Sequence, residues 1–101
     1  HDGVVFVSGN DWHAGVIGII AGRLKERYNL PALVMARVGD ELRGSGRSVA
    51  GADLGAAVLA AKEKGILTAG GGHAMAAGCT IYGKPDKARD MLLSVIDEVW
   101  K

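Results

Sequence analysis

Val4-Val5-Phe6-Val7 is an unbroken run of β-branched and aromatic residues, the pattern of a strand buried on both faces. Turn-forming residues follow at Ser8-Gly9-Asn10-Asp11. The period then changes. Ile17, Ile20, Leu24 and Tyr28 recur at helical spacing, and Arg23, Lys25, Glu26 and Arg27 crowd the later half. This predicts a helix over Ala14–Tyr28, ended by Asn29 and Pro31. Pro31–Val38 reads as the next strand. Strand, helix and strand at this spacing make a βαβ unit, expected to be parallel and right-handed. Gly39-Asp40 suits a two-residue hairpin loop into a further strand over Glu41–Ser48.

The second half repeats these signals. Asp53 is a helix cap, the helix runs to Lys64, and Gly65 stops it. Ile66-Leu67-Thr68 has the look of a brief strand, and Met75–Tyr82 is the expected last one. Pro85 opens a final helix in a favoured first-turn position. Its apolar stripe is regular: Ala88, Met91, Leu92, Val95, Ile96 and Val99. The expected fold is α/β: a mixed, mostly buried sheet of four to five strands with three helices packed on it, in the order β-α-β-β-α-β-α.

Composition narrows this picture only a little. The 101 residues suffice for one domain over 1–101 and not for two. The chain opens His1-Asp2 rather than with methionine, so it reads as a piece of a longer protein. No apolar run approaches the roughly 20 residues that span a bilayer, and no secretory-type leader is present, so no membrane partner is expected. The single cysteine, Cys79, rules out an internal disulfide and suits a reducing, cytoplasmic setting. A net charge of +1 is too small to argue nucleic-acid binding from bulk charge. Only 37–52 carries an excess, with Arg37, Arg43 and Arg47 against Asp40 and Glu41.

Three stretches could carry chemistry. In Asp11-Trp12-His13-Ala14-Gly15-Val16-Ile17-Gly18, a strand end meets a helix N-terminus, where free N–H groups favour an anion. Gly15, Gly18 and Gly22 share one helical face and let something approach closely, the neighbouring strand being the simpler occupant. Trp12 could stack on a base or close the core, and its size favours the core. In Glu41–Ser48, alternation puts Arg43, Ser45 and Arg47 on one face and Gly44 and Gly46 on the other. Planar arginine donors match phosphate oxygens, and glycines beside them suggest a surface shaped for a ligand. A solvated hairpin is the plainer reading. In Gly70-Gly71-Gly72-His73, consecutive amides could form an anion nest, with a titratable imidazole at its lip. A flexible turn is equally compatible.

Some chemistries are missing. "GSGRSV" lacks the third glycine of a dinucleotide fingerprint, and no glycine run leads into Lys-Ser or Lys-Thr. His13, His73 and Cys79 have no recognised metal-ligand spacing, so no metal site is expected on this chain.

"WHAGVIGIIAGRLKERYNLPALVMA", "GSGRSVAGADLGAAV" and "GGGHAMAAG" occur in that order, and the ordered set is specific. It closely resembles the DHH-associated domain of RecJ-type single-strand-specific 5′-to-3′ exonucleases, within the DHH phosphoesterases, from about Val4 to Tyr82. In that family, the resemblance implies, a separate N-terminal DHH domain binds manganese or magnesium and the associated domain holds the substrate across a cleft. No Asp-His-His triplet occurs here, so the metal centre is expected on another domain of the same polypeptide, and the isolated chain is expected to be inactive.

Carried over by motif, Ser45 and Arg47 resemble the pair that grips the DNA 5′ phosphate. Gly46 and Ser48 complete the Gly-Arg-Ser element, with Arg43 beside it. Gly71, Gly72 and His73 match the glycine-histidine motif at the scissile phosphate, His73 in the catalytic position. Trp12 and His13 match the family's Trp-His element. The resemblance implies a partner, the 5′ end of single-stranded DNA, and a role in DNA repair and recombination. Two alternatives stay open: a related phosphodiesterase for short oligonucleotides or cyclic dinucleotides, and a non-catalytic nucleic-acid-binding module.

Overall fold

The computed structural model describes residues 3–10 and 12–100. Asp11, part of the expected turn and of the first candidate stretch, lies outside the described residues. Eight elements follow in chain order: β1 (Val5–Gly9), α1 (Ala14–Tyr28), β2 (Ala32–Val38), β3 (Glu41–Arg47), α2 (Leu54–Glu63), β4 (Ala69–Gly72), β5 (Ala76–Tyr82) and α3 (Pro85–Val99). The strands form one mixed sheet in the order β1-β2-β3-β5-β4. Only β1 and β2 are parallel, as the βαβ pattern requires; every other pair is antiparallel.

Alternation along β2 explains its unbroken apolar run. Leu33 and Met35 turn to one face, where α2 and α3 pack with Leu54, Val58, Leu92 and Ile96. Val34 and Ala36 turn to the other and meet Ile17 and Ala21 of α1. A strand buried on both faces reads as continuous hydrophobicity. β1 shows the same sequence pattern, yet Val5, Phe6 and Val7 are only half-buried. It is an edge strand with a single neighbour, so its expected double burial is corrected.

The helix ends obey their local chemistry. His13 caps α1 through Nδ1, which accepts from Gly15 N at 3.1 Å, and Asn29 closes it with φ 52. Asp53 Oδ1 accepts from Ala56 N at 3.0 Å at the start of α2. The expected brief strand at Ile66–Thr68 is displaced to Ala69–Gly72. Leu67 is buried and Ile66 packs on the core, so the ladder opens only where Thr68 N donates to Thr80 O at 2.9 Å. Among the described residues no helix is long and apolar enough to cross a membrane.

Candidate functional site

The strand register assembles the site. Arg47 faces Ala76 across β3 and β5, Ser45 faces Gly78, and Arg43 faces Thr80. On the next strand Gly78 faces Gly71 and Thr80 faces Ala69. His73 continues the row of Ala76 and Arg47, since its N–H donates to Ala76 O at 2.7 Å. Side chains two apart share a face, so Arg43, Ser45, Arg47, Ala76, Gly78, Thr80 and Gly71 share one surface.

α1 covers the β2 part of this surface and stops over β3. Beyond it lies a bare shelf. A Cβ on Gly71 would meet nothing within 4 Å, and one on Gly78 would meet only Gly44 O at 3.6 Å. Two strand spacings separate the β3 residues from β4, roughly 10 Å. The shelf is therefore flat and nearly free of side chains, with arginines along one border and His73 at a corner.

Arg47 is half-buried and oriented by its neighbours. Its Nη1 donates to Ser45 Oγ at 3.1 Å and to Gly46 O at 2.8 Å. Nη2 and Nε make no hydrogen bond among the described residues. Ser45 Oγ accepts from Arg47, which leaves its own O–H to donate. A hollow of about 360 Å³ opens beside Arg47, lined also by Gly22, Lys25, Glu26, Ser48, Met75 and Ala76.

The loop that carries His73 is pinned on three sides. Leu54 N donates to Ala74 O at 2.9 Å and Ser48 N to Met75 O at 2.8 Å. A Cβ on Gly55 would lie 3.0 Å from the His73 carbonyl carbon and oxygen, so α2 starts directly against this backbone. Gly72 lets the loop close, because a Cβ there would fall 2.5 Å from Ala76 O. The imidazole itself is exposed.

Several expected roles change. The glycine triplet is strand β4, not a nest. Amides along an extended strand point alternately to opposite sides and cannot converge on one anion. The bond from His73 N to Ala76 O sets the phase of the ladder. Gly71 pairs inward with Gly78, while Gly70 and Gly72 turn their amides to the open edge.

Gly44 and Gly46 do not shape the ligand face either. A Cβ on Gly46 would clash with Leu54 and Leu33, and one on Gly44 with Met35 and Cys79, so both make room for the core beneath. Ser48 is only 1% exposed, and its hydroxyl donates to Ala52 O at 2.6 Å. It joins two loops under the shelf.

Trp12 and His13 lie at the other end of the surface. Gly9 seats the Trp12 ring, which packs on the Ile17 cluster. Gly9 is in register with Ala36, and Ala36 with Arg43, two rows from Arg47. Sequence reasoning missed the floor, Ala76, Gly78 and Thr80. A period-two reading of "AAGCT" would have found it.

Among the described residues no three or more of His, Cys, Asp and Glu could hold a metal. His13 caps a helix, His73 stands apart, and burial pushes the Cys79 thiol up to about 11. Among the described residues the donor set does not fit a divalent cation.

A five-stranded mixed sheet with three helices packed on it has known counterparts. The profile of the DHHA1 domain matches residues 1–101, and the chain belongs to that family. Among individual proteins it is similar to the single-stranded-DNA-specific exonuclease RecJ of Dickeya dadantii, 48% identical over 73 residues, which covers 69% of this chain and 13% of that protein. RecJ of Bacillus subtilis is 35% identical over 100 residues, covering 94% of this chain and 12% of the relative. The chain thus spans about an eighth of the length of these relatives. The crystal structure of RecJ from Thermus thermophilus in complex with Mg2+ superposes with a TM-score of 0.76 at 23% identity, covering 95% of this chain and 15% of that one.

Proposed function

We propose that this chain is the substrate-holding domain of a RecJ-type exonuclease, which removes nucleotides from the 5′ end of single-stranded DNA in repair and recombination. The observation that carries this reading is the Arg47–Ser45 pair, oriented by internal hydrogen bonds at the border of a bare sheet face. Arg47 Nη2 and Nε would donate to the oxygens of a terminal phosphate, and Ser45 O–H would add a third donor. The neighbouring phosphodiester would then lie over Gly71 and Gly78, where no side chain blocks a backbone. Exposed Arg43 extends the cationic border one row further.

His73 would donate to a phosphoryl oxygen as negative charge develops there. The amide of Gly72 at the strand edge is a second donor on that side. Holding the strand at its end and at the reacting phosphate converts binding into orientation. The Mg2+ or Mn2+ of RecJ structures finds no ligand set among the described residues; in this reading it belongs to the DHH domain of the longer polypeptide. This chain then supplies binding and alignment and is inactive by itself.

The test is Arg47→Ala in the polypeptide that joins this domain to a DHH domain. Losing a charge-assisted pair predicts a fall of about 10- to 100-fold in turnover of 5′-phosphorylated single strands. Unchanged turnover would overturn the assignment.

A further inference from the structure

Gly18 sits in α1 directly above the arginine-serine pair. A Cβ built on it would lie 3.2 Å from Arg47 Nη2 and 3.4 Å from Ser45 Oγ. Contacts of 3.0–3.4 Å are tighter than nine in ten real Cβ contacts, so the guanidinium would have to move by a few tenths of an ångström. Nη1 cannot move freely, being bonded to Ser45 Oγ and Gly46 O. The end pressed by a side chain at position 18 is therefore Nη2, which makes no hydrogen bond among the described residues.

We propose that Gly18 is a positioning residue that sets the specificity of this surface for a terminal phosphate. By bearing no side chain it lets the helix approach β3 while Nη2 keeps its place, and Arg47 lines the hollow shared with Gly22, Lys25 and Met75. The ligand class is a phosphomonoester at a nucleic-acid end. An internal phosphodiester presents fewer charged oxygens to Arg47 and depends less on where Nη2 points. The inference rests on reading Arg47 and Ser45 as the phosphate-binding pair.

Helix propensity makes the test sharp. Alanine is the better helix former, so Gly18→Ala is expected to hold or raise the melting temperature. A purely structural glycine would show its effect in stability. A positioning glycine shows it in binding alone.

The experiment uses nitrogen-15 NMR titration of the 101-residue chain with a short single-stranded oligonucleotide bearing either a 5′ phosphate or a 5′ hydroxyl. Wild type, Gly18→Ala, Gly18→Val and Arg47→Ala are compared, with the Arg47 Nε–Hε signal followed in the first three. The proposal expects Arg47→Ala to abolish the preference for the phosphorylated end. It expects Gly18→Ala to weaken that preference about fivefold and Gly18→Val more, with the Nε–Hε signal shifted and the hydroxyl-ended strand unaffected.

If Arg47→Ala removes the preference but both Gly18 variants keep it, the inference is wrong and the phosphate site stands. A preference that survives Arg47→Ala, or is missing from the wild type, overturns the phosphate reading and the inference with it. Loss of the folded spectrum in Gly18→Ala would make Gly18 a packing residue and overturn the inference alone.

Discussion

The indole Nε1 of Trp100 donates to the carbonyl oxygen of Asp53 at 3.0 Å, tying the end of α3 to the residue that caps α2. The next residue, Leu54, donates its N–H to Ala74 O, one position from His73. A helix end far along the chain thus steadies the histidine loop through two hydrogen bonds. Trp100→Phe keeps an aromatic six-membered ring against the core and deletes the donor. Asp53 O still accepts from Ala57 N at 3.3 Å, so no carbonyl is orphaned. The expected cost is about 1 kcal/mol, or roughly 4–8 °C in melting temperature for a domain of this size. Hydrogen exchange checks the coupling: protection of the Leu54 amide should fall more than that of the central β2 amides.

Glycines of the two sheet faces should respond in opposite ways. Gly44→Ala pushes a methyl group into Met35 and Cys79, and such overpacking costs about 1–3 kcal/mol. Gly71→Ala meets nothing within 4 Å and should leave stability within about 0.5 kcal/mol of wild type. Its methyl group rises from the shelf, so the proposed function expects weaker oligonucleotide binding from Gly71→Ala. Denaturant midpoints and NMR titration separate the two effects.

Much of this fold was legible because its signals are local. The helix expected over Ala14–Tyr28 spans those residues, and Asp53 and Gly65 bound α2 as their chemistry requires. The glycine triplet was not legible. Glycine permits turn, nest and strand alike, and only pairing with Ala77, Gly78 and Cys79 selects the strand. The alternation of Arg43, Ser45 and Arg47 read correctly from period two, but the purpose of Gly44 and Gly46 did not. Their neighbours Met35, Leu33 and Leu54 come from other elements, and a single strand's sequence carries no trace of what lies beneath it. Ser48 misled for a related reason. A serine beside an arginine looks like a ligand donor until the carbonyl of Ala52 is seen to accept its hydrogen bond.

Those two serines make a matched pair of variants. Ser48→Ala leaves the half-buried Ala52 carbonyl without its 2.6 Å partner and is expected to destabilise by about 1 kcal/mol. Ser45→Ala removes a half-buried hydroxyl next to Arg47 and should change stability by less than about 0.5 kcal/mol. In binding the order reverses under the proposed function: Ser45→Ala weakens capture of a phosphorylated end, and Ser48→Ala does so only as far as it unfolds the domain. Chemical denaturation beside the same titration reads both.

Cys79 gives the chain a distinct alkaline response. Its thiol lies on the core side of β5 beside Gly44, and burial raises its pKa from 9.0 to about 11, against a smaller lowering by a hydrogen bond from the Gly44 backbone. The folded state favours the neutral thiol, so the unfolded chain loses its proton first as pH rises. This contribution to stability is intact below pH 9 and is lost between about pH 9 and 11, by about 2–3 kcal/mol in all. The informative quantity is a difference between variants, in which every other group cancels. Cys79→Ala costs a fixed amount at pH 7 for the lost sulfur contacts, and the gap to wild type should narrow as pH climbs from 9 to 11. Urea denaturation at pH 7, 9 and 10.5 measures it, and a gap that stays constant would mean that the thiol does not feel its burial.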